Sequence, residues 1–230
     1  MGSKHHFDQN AFEAFMLDHG VVGFSEKLMK MKSGRLCPWY ANWRTVAEDV
    51  RSIDELTDYV IAFVEDLGLS PDCFYGVPEG ATKLGVLTQN KWAKKQPDYT
   101  SRPYVLAMGR GKPKEHGAVK DQHFLGLPRG KTIVLEDAVT TGGSLLTTVD
   151  ILLEAKVNII ATLALTNRSE RRDDGTTVAQ VLKEKDIPYY ALTNATEFLP
   201  KLFEKLQPGE IVRKELEEYF ATYGERPLKL

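Results

Sequence analysis

The 230-residue chain predicts an α/β fold, with a central, mainly parallel sheet flanked by helices and a small N-terminal hood. Two observations carry this expectation. Short apolar runs alternate with segments whose apolar residues recur at helical spacing, and such repetition makes right-handed crossovers and a parallel sheet covered on both faces. The composition, 42% hydrophobic and 27% charged, is that of an ordinary globular chain long enough to bury a substantial core. We expect a single domain over residues 1–230. Its parts are a helix and hood over about 1–51, the α/β core over about 52–194 and closing helices over about 195–230.

The elements follow in order. Phe12, Phe15, Met16 and His19, ended by Gly20, predict a first amphipathic helix. Ser52-x-x-Glu55 has the pattern of a capping box opening a second, with Leu56, Val60, Phe63, Val64 and Leu67 turned inward and Gly68 as the stop. A strand at 73–77, a helix at 82–95 and a strand at 104–108 come next. Pro128 and Gly130 break the chain before 131–135, an apolar run rich in β-branched side chains that reads as a buried strand. Leu145, Leu146, Val149, Leu152 and Leu153 then place a helix over 144–155. Strands at 159–165 and 189–192 enclose a helix at 178–185, and a pair of helices closes the chain.

Charge and cysteine content narrow the function. Thirty Lys and Arg against 32 Asp and Glu leave a net charge of −2, which offers no general attraction to nucleic acid or to an anionic membrane. The longest apolar stretch, 157–165, is too short to span a bilayer, and the N-terminal residues lack the apolar core of a signal peptide. The expectation is a cytoplasmic protein without nucleic-acid or membrane partners. Cys37 and Cys73 are too few for a disulfide framework and have no partner at metal-ligand spacing. His5 and His6 give no reason to infer a metal site.

The chemistry concentrates in Val134-Leu135-Glu136-Asp137-Ala138-Val139-Thr140-Thr141-Gly142-Gly143-Ser144. Two adjacent carboxylates buried side by side would repel and carry a large desolvation cost, so the strand is expected to leave the core at Glu136 and Asp137, which then face solvent or a ligand. Thr140, Thr141, Gly142, Gly143 and Ser144 suit an anion: glycines admit close approach, hydroxyls donate, and the next helix's first N–H groups need acceptors. Carboxylates ahead of a phosphate cradle fit a sugar phosphate. The fingerprints of a P-loop and of a dinucleotide-binding turn are both missing.

This segment resembles the phosphoribosyl diphosphate (PRPP) motif of the type I phosphoribosyltransferases. The loop Gly109-Arg110-Gly111-Lys112-Pro113-Lys114-Glu115-His116-Gly117 is similar to the flexible catalytic loop of one branch, the orotate phosphoribosyltransferases, through Arg110, Lys114, His116 and Gly117. Lys32-Ser33-Gly34-Arg35 resembles the turn that borders the orotate pocket in the same branch. Residues 75–82 resemble its diphosphate-binding loop.

The resemblance implies the type I phosphoribosyltransferase fold and transfer of a phosphoribosyl group from PRPP to orotate, a step of pyrimidine biosynthesis. It implies Asp137, Lys114, His116 and Arg110 as catalytic residues. PRPP would be bound by Glu136, Asp137, Thr140, Thr141, Gly142, Gly143, Ser144, Glu79 and Gly80, and orotate by Lys32, Tyr40 and Arg168. Mg²⁺ would be held mainly through PRPP and water rather than directly by protein, and the loop would be shared across a homodimer. Gly80 and Gly111 stand where the family commonly carries lysines, and the sequence leaves open whether Lys83 or Lys112 takes either role. The rival readings are a phosphoribosyltransferase for another base, such as a purine, and a non-catalytic PRPP-sensing regulator of the same fold.

Overall fold

The computed structural model describes residues 6–31, 33–116 and 119–230. His5, Lys32 and Gly117, singled out above, lie outside the described residues. Helix α1 (Gln9–Asp18) leads into an antiparallel pair, β1 (Val22–Lys30) and β2 (Leu36–Ala41), and a 3-10 turn at Val46–Glu48 precedes α2 (Val50–Asp66). There follow β3 (Cys73–Gly76), α3 (Thr82–Lys95), β4 (Met108–Gly109), α4 (Val119–His123) and β5 (Phe124–Leu125). The second half holds β6 (Lys131–Val139), α5 (Gly143–Glu154), β7 (Asn158–Asn167), α6 (Val178–Glu184), β8 (Tyr189–Asn194), α7 (Ala195–Leu206) and α8 (Glu210–Tyr223).

Strands β3, β6, β7 and β8 form a parallel sheet in the order β3-β6-β7-β8. Its two faces follow from the two-residue period of a strand. Phe74, Ile133, Leu135, Leu163 and Leu165 enter one core with α1, α2 and the hood, while Cys73, Tyr75, Val134 and Ala164 enter a second core beneath α5 and α6. The hood is the β1–β2 pair, pinned by α7: Trp39 meets Phe198 edge-on at 5.9 Å between ring centroids, and Phe24 meets Phe203 at 6.0 Å.

Three elements differ from expectation. Helix α2 begins two residues before Ser52, because Asp49 Oδ1 accepts from both the Ser52 N–H and the Ser52 hydroxyl at 2.8 Å. A carboxylate is the stronger acceptor, so it takes the cap and Ser52 becomes its donor.

The strand expected at 104–108 survives only at Met108–Gly109, paired with β5 and outside the main sheet. The buried side chain of Gln89 explains this. Its Oε1 accepts from Phe74 N–H at 2.9 Å, and its Nε2 donates to Val105 O at 2.9 Å and to Asp72 O at 3.2 Å. A side-chain amide thus satisfies groups that a fifth strand would otherwise pair.

Strand β6 runs four residues past Leu135, because β7 continues beside it as far as Val139↔Asn167. Glu136 and Asp137 therefore lie within the sheet rather than beyond its end.

Asp72 joins β3 to β6. Its Oδ2 accepts from Lys131 N–H at 2.8 Å and its Oδ1 from Arg102 Nη2 at 2.6 Å. Partial burial alone would raise this carboxyl, but the Lys131 amide and then Arg102 outweigh it and hold its pKa below the ordinary value. A depressed pKa contributes stability that is present above the unfolded value, about 3.9, and is lost as pH falls through the folded one. Asp72→Asn should therefore lower the unfolding free energy by about 1 kcal/mol at neutral pH. In urea titrations repeated across pH, the gap to wild type should shrink below about pH 4. A gap of constant size down to pH 3 would show that packing, not charge, makes this junction.

Candidate active site

A cavity of about 790 Å³ opens at the C-terminal ends of β3, β6 and β7, where parallel sheets collect ligands. Its floor is the end of β6 with the turn into α5. Gly142 there has φ 73°, and a Cβ on it would stand 2.4 Å from Val178 Cγ2, so the turn admits only glycine for two separate reasons. Helix α5 has Gly142 at its N-cap, a residue that offers no side chain to cap it. Its first-turn N–H groups lack acceptors within the helix, and together with the helix dipole they make an anion cradle beside Thr140, Thr141 and Ser144, all of which line the cavity. Arg172 Nη1 fixes the turn from behind by donating to Thr141 O at 2.7 Å.

Both carboxylates of the motif line the cavity. The expectation that they lie beyond the sheet is corrected: Glu136 is 6% exposed and Asp137 half-buried, both inside β6. Repulsion is eased because neighbouring residues of a strand leave on opposite faces, Glu136 with Val134 and Asp137 with Leu135. Backbone donors help as well, Asp137 N–H to Glu136 Oε1 at 3.2 Å and Ala138 N–H to Asp137 Oδ1 at 2.8 Å. From the next strand, the loop after β3 brings Glu79 and Gly80 to the same rim. A Cβ on Gly80 would stand 2.5 Å from Asp137 Oδ2, so a bare backbone here lets the loop close against the carboxylate.

The hood supplies the opposite wall through Met31, Ser33 and Ala41. Tyr40, expected against orotate, is not among the lining residues. The β1–β2 register sets it opposite Gly23, and its ring fills the space that Gly23 leaves, so alternation gives Ala41 the cavity side. Arg168 does line the cavity, although only 1% exposed. Its Nε donates to Glu170 Oε1 at 2.9 Å, its Nη2 contacts Cys37 Sγ at 2.9 Å, and its guanidinium lies 3.8 Å over the Trp39 ring. Nη1 is buried without a partner among the described residues. Burial alone would lower the guanidinium's pKa, but Glu170 and then Cys37 and Tyr219 outweigh it, so the group stays charged. Glu170 is shared. Its Oε2 accepts from Arg35 Nη1 at 3.0 Å, and Arg35 Nη2 reaches Arg171 O at 2.9 Å and Asp173 Oδ1 at 2.8 Å.

The cationic loop is only partly at the cavity. Arg110 lines it, with its N–H donating to His123 O at 2.9 Å and its Nε to Asp121 O at 3.2 Å. Lys112, Lys114 and His116 are exposed and are not among the lining residues. Lys83 is turned away, its Nζ donating to Ala47 O at 2.9 Å. Lining residues that the sequence motifs do not mark include Thr147, Thr148 and Ile151 on α5, and Arg44 and His123. Arg44 could have been found from the inward pull of Trp43 beside it, whereas His123 gave no signal because the return of the loop through α4 and β5 was not foreseen.

No family model matches the chain. An orotate phosphoribosyltransferase of Bradyrhizobium diazoefficiens is 30% identical over 183 residues, spanning 76% of this chain and 89% of that protein. Another, from Bordetella bronchiseptica, is 27% identical over 220 residues, 93% of this chain and 95% of its own. Among solved structures, an orotate phosphoribosyltransferase of Francisella tularensis matches with a TM-score of 0.68 at 20% identity, covering 93% of this chain and 99% of that one. One from Aeropyrum pernix matches at 0.61 and 20% identity, over 86% and 99%. The structural likenesses establish the fold: α/β, of the type I phosphoribosyltransferase kind.

Removing charge from Glu170 would leave two arginines facing a neutral amide, Arg168 fully enclosed and Arg35 nearly so. Breaking a buried pair in this way typically costs about 3 kcal/mol. Glu170→Gln should lose stability on that scale in urea unfolding. Asp173→Asn, which removes a partner whose side chain is 96% exposed from the same Arg35, should lose far less. Equal losses would mean that the buried charge is not what holds this corner.

Proposed function

The chain belongs to the orotate phosphoribosyltransferase family, and from that membership we infer that its cavity moves a phosphoribosyl group from PRPP to orotate, giving orotidine 5′-monophosphate and diphosphate. One juxtaposition supports this most strongly. A buried, charged guanidinium with a spare N–H group, Arg168, borders the same cavity as a phosphate-type helix N-terminus and two carboxylates. Planar anionic base, phosphate and ribose hydroxyls each find a complementary group there.

In the proposed chemistry the α5 N-terminus with Thr140, Thr141, Gly142, Gly143 and Ser144 holds the 5′-phosphate. Asp137 and Glu136 accept from the ribose hydroxyls. Their charge stabilises the oxocarbenium character that grows at C1 as its bond to the diphosphate oxygen breaks and the bond to the orotate nitrogen forms. Arg168, with Lys32, orients the anionic base, so positioning matters more than a strong base.

Among the described residues no group of three His, Cys, Asp or Glu side chains is arranged to cage a metal. Glu136 and Asp137 nevertheless offer the one or two hard oxygen donors that suit Mg²⁺ carried mainly on a substrate's phosphates. When bound, Mg²⁺ supplies positive charge to the departing diphosphate.

We place the reaction in the cytoplasm, a setting that suits the two free, buried thiols Cys37 and Cys73. No helix among the described residues is long and apolar enough to cross a membrane. We also propose a homodimer in which Lys114 and His116 of one subunit complete the cavity of the other. Leu106 and Leu125, 54% and 42% exposed beside the base of the loop, offer apolar surface for that contact.

A PRPP-dependent assay comparing orotate with purine bases tests the reading directly, and nucleotide formed from a purine but not from orotate would reverse it. Arg168→Lys should raise the orotate KM and leave the PRPP KM nearly unchanged. The loss in kcat/KM for orotate should be about 1.5–3 kcal/mol, the range of a charged hydrogen bond that lysine's ammonium does not reproduce. If both KM values rise together, Arg168 serves the structure or the diphosphate instead.

The shared loop has its own test. Lys114→Ala and Asp137→Asn subunits, each nearly inactive alone, should regain activity on mixing, since one hybrid site is then intact. No recovery after verified subunit exchange would show that each chain completes its own cavity.

A further inference from the structure

We propose that Arg44 is a diphosphate-binding residue of this cavity, an inference that rests on reading the cavity as a PRPP site. Among the described residues three carboxylates line it, Glu79, Glu136 and Asp137, against three arginines, Arg44, Arg110 and Arg168. Two of these arginines already have partners. Arg168 is enclosed and shared with Glu170, and Arg110 gives its Nε to Asp121 O. Arg44 is exposed on the cavity rim, and its guanidinium makes no hydrogen bond or ion pair among the described residues.

The backbone that carries Arg44 is nevertheless fixed. Trp43 beside it is 3% exposed, donates Nε1 to Thr166 Oγ1 at 3.0 Å and stacks on Phe12 at 5.5 Å. With its neighbour anchored inward, Arg44 faces the opening. The following 3-10 turn is tied to the first turn of α3 by the bond from Lys83 to Ala47 O. This tether docks the Arg44 stretch against the loop that carries Glu79 and Gly80.

That loop lacks a cation of its own. Asp137 occupies the space beside Gly80, the Glu79 carboxylate stands where a Cβ on Gly111 would be, and Lys83 is engaged with Ala47. A diphosphate approaching this rim meets Glu79 first, and binding requires a positive group to offset it. A planar, permanently charged fork on a fixed backbone matches phosphate oxygens in pairs. Arg44 is the group positioned to supply it.

The test is binding of Mg²⁺-diphosphate by calorimetry, alongside KM values for PRPP and orotate, in wild type, Arg44→Ala, Arg44→Lys and, as a charge control, Lys205→Ala on the last turn of α7. Arg44→Ala should weaken diphosphate binding and raise the PRPP KM by about tenfold or more, as loss of a charged hydrogen bond does. The orotate KM and Tm should barely move, Arg44→Lys should recover part of the loss, and Lys205→Ala should match wild type. Unchanged diphosphate affinity in Arg44→Ala overturns the proposal, and so does a rise confined to the orotate KM. If the wild type binds diphosphate yet makes no nucleotide from orotate, the functional reading fails while the binding comparison still decides the role of Arg44.

Discussion

Glu170, with no exposed side-chain surface, sits between Arg168 and Arg35, and much of the molecule's architecture hangs on that contact. Arg35 comes from the hood and Arg168 from the end of β7, so one carboxylate joins two layers separated by 133 residues of sequence. Burying three charges is costly, and a well-packed apolar substitute could match it in stability. What the ionic arrangement adds is placement. It seats the hood over the sheet edge, which gives the cavity its second wall, and it turns Arg168 so that one N–H group is left for a ligand. The stack on Trp39 fixes the plane of the same guanidinium.

A second constraint is the length of β6. By staying paired with β7 through Val139, the strand sends Glu136 and Asp137 to opposite faces and delivers the chain to α5 through a turn of only Thr140, Thr141 and Gly142. The phosphate cradle and the carboxylates are thus parts of one rigid segment, and their spacing is set by backbone geometry rather than by side-chain rotamers. Catalytic groups held this way need little reorganisation when charge develops.

Much of this was legible in the sequence, for identifiable reasons. The run from Lys131 to Glu154 combines strand chemistry, glycines and helical periodicity, all local properties, and both elements formed there. Helices α1, α3, α5 and α6 followed their apolar spacing closely. What escaped depends on partners distant in sequence. Asp49 displaced Ser52 as the cap because acceptor strength decided between near neighbours. Residues 103–107 look like a strand in composition, and only the position of Gln89, on a separate helix, keeps them out of the sheet. Tyr40 was read from its type, whereas its direction is set by pairing with Gly23. Arg44 carries no motif, and its exposure on the rim follows from what Trp43 buries.

The amide of Gln89 has one more implication, for the way the molecule tolerates change. Because a side chain rather than a neighbouring strand satisfies Phe74, the segment leading to the cationic loop is attached to the sheet without being part of its ladder. Shifting residue 105 breaks the bond from Gln89 to Val105 O, while Phe74 N–H keeps its partner. Changes confined to the exposed loop between β4 and α4, beyond Arg102 and the buried Ala107, are therefore insulated from the register of the core. Such a region is free to diversify in length and charge while the scaffold that anchors phosphate and ribose stays constant.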